Sequence, residues 1–287
     1  MPEKLGDATD TELTEARAKS VAGDKKQIIL TFVNKVRLDF AKTWAYHVVR
    51  LGLTNYLIGA TDVGALTGLH KLNLPCFSMR TNLPDVEWDW GSPSFKALGQ
   101  HKVELIFKAL TWGLEVVITD SDALVLREPF SFMTKFPEAS FLTTSDCLGN
   151  TSGSADGHGL EDHGCLGQAF NIGYMYFKPS ALPLVKPWLM AIRRNPRGTW
   201  DQATFNTLAR ASYHGGGGGS QLQDKRLFSS YAGGVVGGIL PLSLFAGGHT
   251  HFVSRMAWRA NNAAPYSVHT TFQYGGAPGK RHRLREA

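Results

Sequence analysis

The most constraining feature of this sequence is an apolar run that ends abruptly in two carboxylates. Val116-Val117-Ile118-Thr119 leads without a break into Asp120-Ser121-Asp122. Three branched apolar side chains in succession leave no polar face, so the run reads as a strand covered on both sides. Helices on both faces of a parallel sheet provide that cover. Such a strand sets its two acidic residues at its carboxyl end, where α/β sheets collect ligands. Near a strand end two carboxylates can share one hard divalent cation, which favours oxygen ligands.

The flanking sequence keeps the same alternation. Residues 27–34 and 56–60 read as buried strands, and residues 76–79 as a candidate third. Between the first two, residues 38–51 carry Phe40, Trp44, His47 and Val48 at helical spacing. Residues 95–110 repeat that spacing with Leu98, Val103, Ile106, Phe107 and Leu110, and Gly113 stops the helix. Strand–helix–strand order predicts an α/β fold with a mixed, mainly parallel central sheet. Asn34, Thr61, Asp62 and Asp120 then all fall at carboxyl ends of strands.

Beyond Asp122 the alternation loosens. Strands are expected at residues 140–144 and 170–177 and a helix at 200–211, with a Gly- and His-rich loop over 146–167. Residues 215–219, all glycine, read as a flexible insert inside one domain spanning 26–287. Residues 1–25 form a charged, partly helical lead-in that would fit the remnant of a stem.

Charge and cysteine usage narrow the partners. The net charge of +6 is concentrated in Lys280, Arg281, His282, Arg283 and Arg285. Without zinc-finger spacing, an RNA-binding aromatic signature or a second basic stripe, nucleic acid is not an expected partner. The run is read either as a solvated face or as the neighbour of a phosphate site. No stretch approaches the ~18 apolar residues of a membrane helix, and the polar start lacks the core of a signal peptide. The chain is therefore expected to be soluble, meeting a membrane only through an anchor it does not carry. Cys147 and Cys165 flank one loop and would pair in an oxidising compartment; the alternative is that they and Cys76 are idle thiols. The sequon Asn150-Thr151-Ser152 sits in the same loop. His158, Glu161, Asp162 and His163 lack regular ligand spacing, and read as lid or acceptor contacts rather than a second metal site.

Aspartate-nucleophile phosphatases also end a strand in Asp-x-Asp. Their motif opens the domain and is followed by Thr or Val, whereas here it lies 120 residues in and precedes Ala123. A solvated acidic turn is the remaining bland alternative.

Several strings together resemble a known family. The segment around Asp120, then Phe170-Asn171-Ile172-Gly173-Tyr174-Met175-Tyr176-Phe177, then Trp200-Asp201-Gln202-Ala203-Thr204-Phe205-Asn206 occur in the order found in GT-A-fold glycosyltransferases. The string Val268-His269-Thr270-Thr271-Phe272-Gln273-Tyr274-Gly275-Gly276, followed by Gly279-Lys280-Arg281-His282-Arg283, resembles plant and algal arabinosyltransferases that decorate hydroxyproline-rich cell-wall proteins such as extensins. The resemblance spans roughly residues 27–287. It implies a GT-A, Rossmann-like nucleotide-diphospho-sugar transferase fold, a UDP-sugar donor, a glycoprotein or glycan acceptor, retention at the anomeric carbon and a Golgi lumen location.

It also implies roles. Asp120, Asp122 and His269 would hold Mn2+ or Mg2+, imidazole being a reasonable third ligand. Lys280 would hold the diphosphate, with Arg281 or Arg283 as substitutes. Thr31, Asn34, Asp62 and Ser121 are assigned to the donor, Asn34 at its base or ribose unless it only caps the following helix. Asn171 and Gly173 are expected on the acceptor side, unless Asn171 serves only a turn. Asp201 and Gln202 would face the reacting carbon of the sugar; an Asp opening a helix is also a good cap, and the two roles are compatible. UDP-xylose or UDP-galactose transfer, or UDP binding without turnover, would use the same metal and phosphate residues.

Overall fold

The computed structural model describes residues 12–148, 159–161, 163–214, 221–222, 226–231, 234–256 and 264–287. The sequon, His158, Asp162 and the polyglycine insert lie outside them.

The chain opens with α1 (Glu15–Ala22), β1 (Gln27–Val33), α2 (Leu38–Arg50), β2 (Tyr56–Ala60), α3 (Val63–Lys71), β3 (Cys76–Ser78), α4 (Pro93–Thr111) and β4 (Glu115–Thr119). It continues through β5 (Ala123–Val125), α5 (Phe130–Met133), β6 (Phe141–Ser145), β7 (Phe170–Phe177), α6 (Leu182–Arg194), α7 (Asp201–Ala209) and α8 (Ala211–His214). Last come β8 (Gln221–Leu222), β9 (Leu227–Ser230), β10 (Val235–Ile239), β11 (Phe245–Gly247), β12 (Ser267–His269) and α9 (Gly276–Glu286).

Nine strands form one sheet in the order β3-β2-β1-β4-β7-β6-β10-β9-β8. All but β7 and β9 run the same way, so the mixed, mainly parallel α/β expectation holds. The alternation of side chains along the strands explains why the apolar runs are unbroken. Ile28, Leu30 and Phe32 of β1 enter one core layer with Val103, Ile106 and Leu110 of α4 and Leu184 and Trp188 of α6. Ile29 and Val33 enter the opposite layer, with Phe40, Trp44 and Val48 of α2 and Leu69 of α3. Each β1 side chain thus has a helix above or below it, which is why no polar period appears.

The lead-in is partly integral to this body. Thr14 caps α1 by accepting from the Arg17 amide, Ala18 and Ala22 are buried in the core, and Arg17 donates to the Cys76 carbonyl at 2.6 Å. Cys147 and Cys165 form a disulfide across the loop between β6 and β7, and Cys76 is a free, buried thiol. Among the described residues no helix is long and apolar enough to cross a membrane.

A second, three-stranded sheet, β11-β12-β5, positions the site. β5 leaves Asp122 directly, and β12 pairs with it antiparallel so that His269 lies opposite Ala123. A residue far along the chain is thereby brought beside the Asp-x-Asp turn.

Candidate active site

The carboxyl ends of β1, β2 and β4 open into a cavity of about 760 Å³, a size suited to a small organic ligand. Its walls include Asn34, Thr61, Asp120, Ser121, Asp122, Asn171, Gly173, Asp201, Gln202, His269 and Lys280. The sheet order spreads these residues along one axis. Asn34 and Thr61 stand at β1 and β2, the two aspartates at the central β4, and Asn171 and Gly173 on β7 at the other side.

The turn after β4 is held by main-chain bonds. The Asp120 amide donates to the Gly173 carbonyl at 2.8 Å and the Thr270 amide to the Asp122 carbonyl at 3.0 Å. Asp120, Asp122 and His269 each offer a ligand atom within 4.8 Å of the others. His269 Nε2 is 3.4 Å from Asp122 Oδ1 and 3.9 Å from Asp120 Oδ2.

The other ring nitrogen has a partner of its own. Asn171 Nδ2 donates to Asp146 Oδ1 at 2.8 Å, which fixes the amide so that its oxygen faces the histidine. His269 Nδ1 lies 3.2 Å from that oxygen. An acceptor there calls for a proton on Nδ1 and turns Nε2 toward the carboxylates, which makes Nε2 the nitrogen that would ligate a metal. Two carboxylates and an imidazole suit manganese or magnesium, so the residues fit the implied cation. Gly173 provides the room: a Cβ built on it would stand 2.0 Å from His269 Cε1.

Both aspartates carry a lysine counter-ion. Lys102 of α4, almost wholly buried, donates to Asp120 Oδ1 at 2.7 Å and to the Ile172 carbonyl at 2.6 Å. Lys280 of α9 is ion-paired with Asp122 Oδ2. Burial alone would raise the Asp122 carboxyl, but Lys280 and His269 outweigh it and hold it well below the usual carboxylate range. Arg281 is instead turned to Asp39, and Arg283 to Glu286.

Asp201 is the first residue of α7 rather than its cap, the cap position belonging to Trp200. Its carboxylate turns back to accept from the Gln202 amide at 2.9 Å. Burial pushes its carboxyl up to about 6 against the opposing pull of Lys102. Gly99 leaves the space this side chain fills. Gln202 Nε2 lies 3.4 Å from Asp146 Oδ2, so one half-buried carboxylate touches both Asn171 and Gln202. Burial raises the carboxyl of Asp146 above its ordinary value.

Asn34 does not cap the next turn. Its Nδ2 donates to the Val86 carbonyl at 3.0 Å, and its buried Oδ1 has no protein partner. Two residues assigned to the donor are not in the cavity wall. Thr31 lies inside β1 and is fully buried. Asp62 caps α3, accepting from the Ala65 amide at 2.7 Å and the Lys35 amide at 2.9 Å. Lys102 and Asp146 escaped sequence reading, since a lysine on a helix and an aspartate in a loop carry no signal of burial. The group at 158–163 brings no further metal cluster among the described residues.

Residues 51–284 match the model of a family described as nucleotide-diphospho-sugar transferase. Over 261 residues the chain is 40% identical to arabinosyltransferase XEG113 of Arabidopsis thaliana, covering 90% of this chain and 39% of that relative's length. Among solved structures, a glycosyltransferase involved in glycosylation of the major capsid of PBCV-1 aligns at 11% identity and TM-score 0.47, over 91% of this chain and 99% of its own. The galactosyltransferase LgtC, in complex with donor and acceptor sugar analogues, aligns at 12% and 0.45, over 90% and 94%.

Proposed function

Because the chain belongs to the nucleotide-diphospho-sugar transferase family, we propose that it is a metal-dependent, retaining glycosyltransferase that takes its sugar from a UDP donor. L-arabinofuranose is the first choice of sugar, and the acceptor is a hydroxyproline-rich cell-wall glycoprotein; both follow the sequence resemblance, and the likeness to an arabinosyltransferase supports the arabinosyl group. The observation that carries the reading is the convergence of Asp120, Asp122 and His269 on the cavity, with Asn171 orienting the histidine ring.

Asp120, Asp122 and His269 would hold a divalent cation, whose charge would offset the negative charge that develops on the leaving UDP. Lys280, ion-paired with Asp122 Oδ2, lines the cavity and would offer its ammonium to the phosphates. At the β1 end, the orphaned Oδ1 of Asn34 is an acceptor suited to an imide N–H of the base, with Thr61 alongside. At the β7 end, Asp201 and Gln202 would lie by the sugar. The bond from the anomeric carbon to phosphate breaks, a bond to the acceptor oxygen forms on the same face, and the acceptor's proton passes to the departing phosphate. Asp201, ionised above pH 6, would stabilise positive charge on the sugar ring. The disulfide between Cys147 and Cys165 suits an oxidising compartment such as the Golgi lumen.

The test is calorimetric titration of UDP with and without manganese, on wild type and Asp122→Asn. Manganese-dependent binding that disappears in the variant supports the reading, and a donor-hydrolysis screen over UDP-arabinose, UDP-xylose and UDP-galactose then identifies the sugar. Absence of UDP binding to the wild type would sink it.

A further inference from the structure

Resting on the transferase reading above, we infer that Trp90, with Trp200 and Asp89, forms the subsite that receives a sugar ring of the acceptor.

The segment between β3 and α4 crosses the mouth of the cavity. Its Val86 carbonyl accepts from Asn34, and Glu87 accepts from Arg37 Nε at 2.9 Å, both at the β1 end. Two residues on, Trp88 gives its indole N–H to the Pro84 carbonyl at 3.0 Å, which stiffens the turn. Trp90 then reaches the opposite end. Its ring stands 5.2 Å from Trp200, nearly perpendicular, and 6.3 Å from Phe95. Trp200 immediately precedes Asp201, which the transferase reading sets at the sugar. The tryptophans therefore stand beyond the diphosphate position, on the side from which an acceptor approaches.

Their chemistry selects the occupant. Trp90 lines the cavity yet is 74% exposed, so a large apolar ring is left in water at the mouth of a functional cleft. Covering it is favourable for a ligand with an apolar face. The neighbouring side chains are acceptors. Asp89 makes no side-chain hydrogen bond to a described residue, and Gln202 offers an amide at the cavity wall. The cations in the cavity wall are already paired, Arg37 with Glu87, Lys102 with Asp120, Lys280 with Asp122 and Arg281 with Asp39. A saccharide presents C–H bonds on one face and hydroxyl donors around its rim, which matches an exposed indole flanked by a carboxylate. A bare proline-rich segment presents carbonyl acceptors and no N–H at its prolines, and so offers fewer donors to the Asp89 carboxylate.

The experiment titrates short arabinofuranose oligosaccharides, and separately an unglycosylated hydroxyproline oligomer, into the full chain with UDP and manganese present. Metal-dependent UDP affinity is measured on the same samples. Wild type should bind the saccharide. Trp90→Ala should weaken it at least about tenfold, the cost typical of an interface tryptophan, while UDP affinity stays within about twofold. Trp90→Phe, which keeps an aromatic face, should recover most of the loss, an outcome that a merely structural role for Trp90 in the turn would not give. Equal saccharide affinity in wild type and Trp90→Ala overturns the inference. So does binding of the bare hydroxyproline oligomer alone, or failure of the saccharide to bind while UDP does. Failure of UDP itself to bind marks the loss of the transferase reading instead.

Discussion

The two flanks of the central sheet supply the cavity in different ways. On the flank of β1 and β2, polar groups are set by the main chain: Asn34 rests on the Val86 carbonyl, Asp62 is absorbed in capping α3, and Asn34 Oδ1 is left open. On the flank of β7 the polar side chains hold one another. Asp146 grips Asn171 and approaches Gln202, Asn171 orients His269, and Lys102 ties Asp120 to the β7 backbone. The first arrangement leaves an acceptor free for a ligand, as recognition demands. The second leaves no slack, as positioning demands, and a network of that kind loses more when one member goes.

The largest effect should come where the flanks meet. Asp122→Asn keeps the shape of the side chain but removes the charge between Lys280 and His269. Transfer measured as kcat/KM should fall on the order of a thousandfold, and added manganese should not restore it. Retention of more than a tenth of wild-type turnover would break the comparison at its centre.

Asp201 tests whether the β7 flank carries a stability cost for its function. Its carboxyl is raised from 3.8 to about 6 in the fold. Below pH 3.8 folded and unfolded chains both hold the proton. Between there and 6 the unfolded chain releases it and the fold does not, so stability falls as pH rises through that window and is level above it. The loss amounts to roughly 3 kcal/mol. Asp201→Asn should match wild type near pH 4, exceed it by up to roughly 3 kcal/mol at pH 7, and lose activity. Denaturant unfolding of both proteins across that range is the check; parallel pH profiles would refute the burial argument.

Asn171→Ala should weaken manganese binding about 10- to 100-fold, as loss of a group that orients a ligand commonly does. Asp146→Asn should do less, since an amide can still accept from Asn171. Metal titration followed by quenching of tryptophan fluorescence orders the two. Equal effects would mean that Asp146, not Asn171, sets the histidine.

These differences also explain what could be read in advance. β1, β2, β4 and β7 were legible because each is buried on both faces and therefore uninterrupted by polar residues. Asp120 and Asp122 were legible because a strand of that kind pointed at them. α6 was not anticipated: its buried Leu184, Val185, Trp188, Leu189 and Ile192 follow helical spacing, but Pro187 interrupts the stretch and disguises it. β10 was hidden by Gly237 and Gly238, glycines because Phe141, Leu142 and Leu160 fill the space their side chains would need. His269 was reached only through family resemblance, since β12 is three residues long and its partner β5 lies far back in the chain. Lys102 and Asp146 act through burial and contacts, neither of which a residue type announces.

The smallest effect is expected at Asn34, and it is the sharpest probe of the contrast. The side chain is buried, yet Oδ1 has no partner. Leaving an acceptor unpaired is unfavourable, so Asn34→Ala removes a liability together with one bond to Val86, and folding stability should change by no more than about 1 kcal/mol. UDP affinity should nevertheless fall about tenfold, the value of one lost hydrogen bond to a ligand, with kcat little altered. A variant that instead unfolds readily while binding UDP normally would show that Asn34 serves the fold through its bond to the Val86 carbonyl. The β1 flank would then have no open recognition group of its own, and recognition would have to be sought in Thr61 and the segment above it.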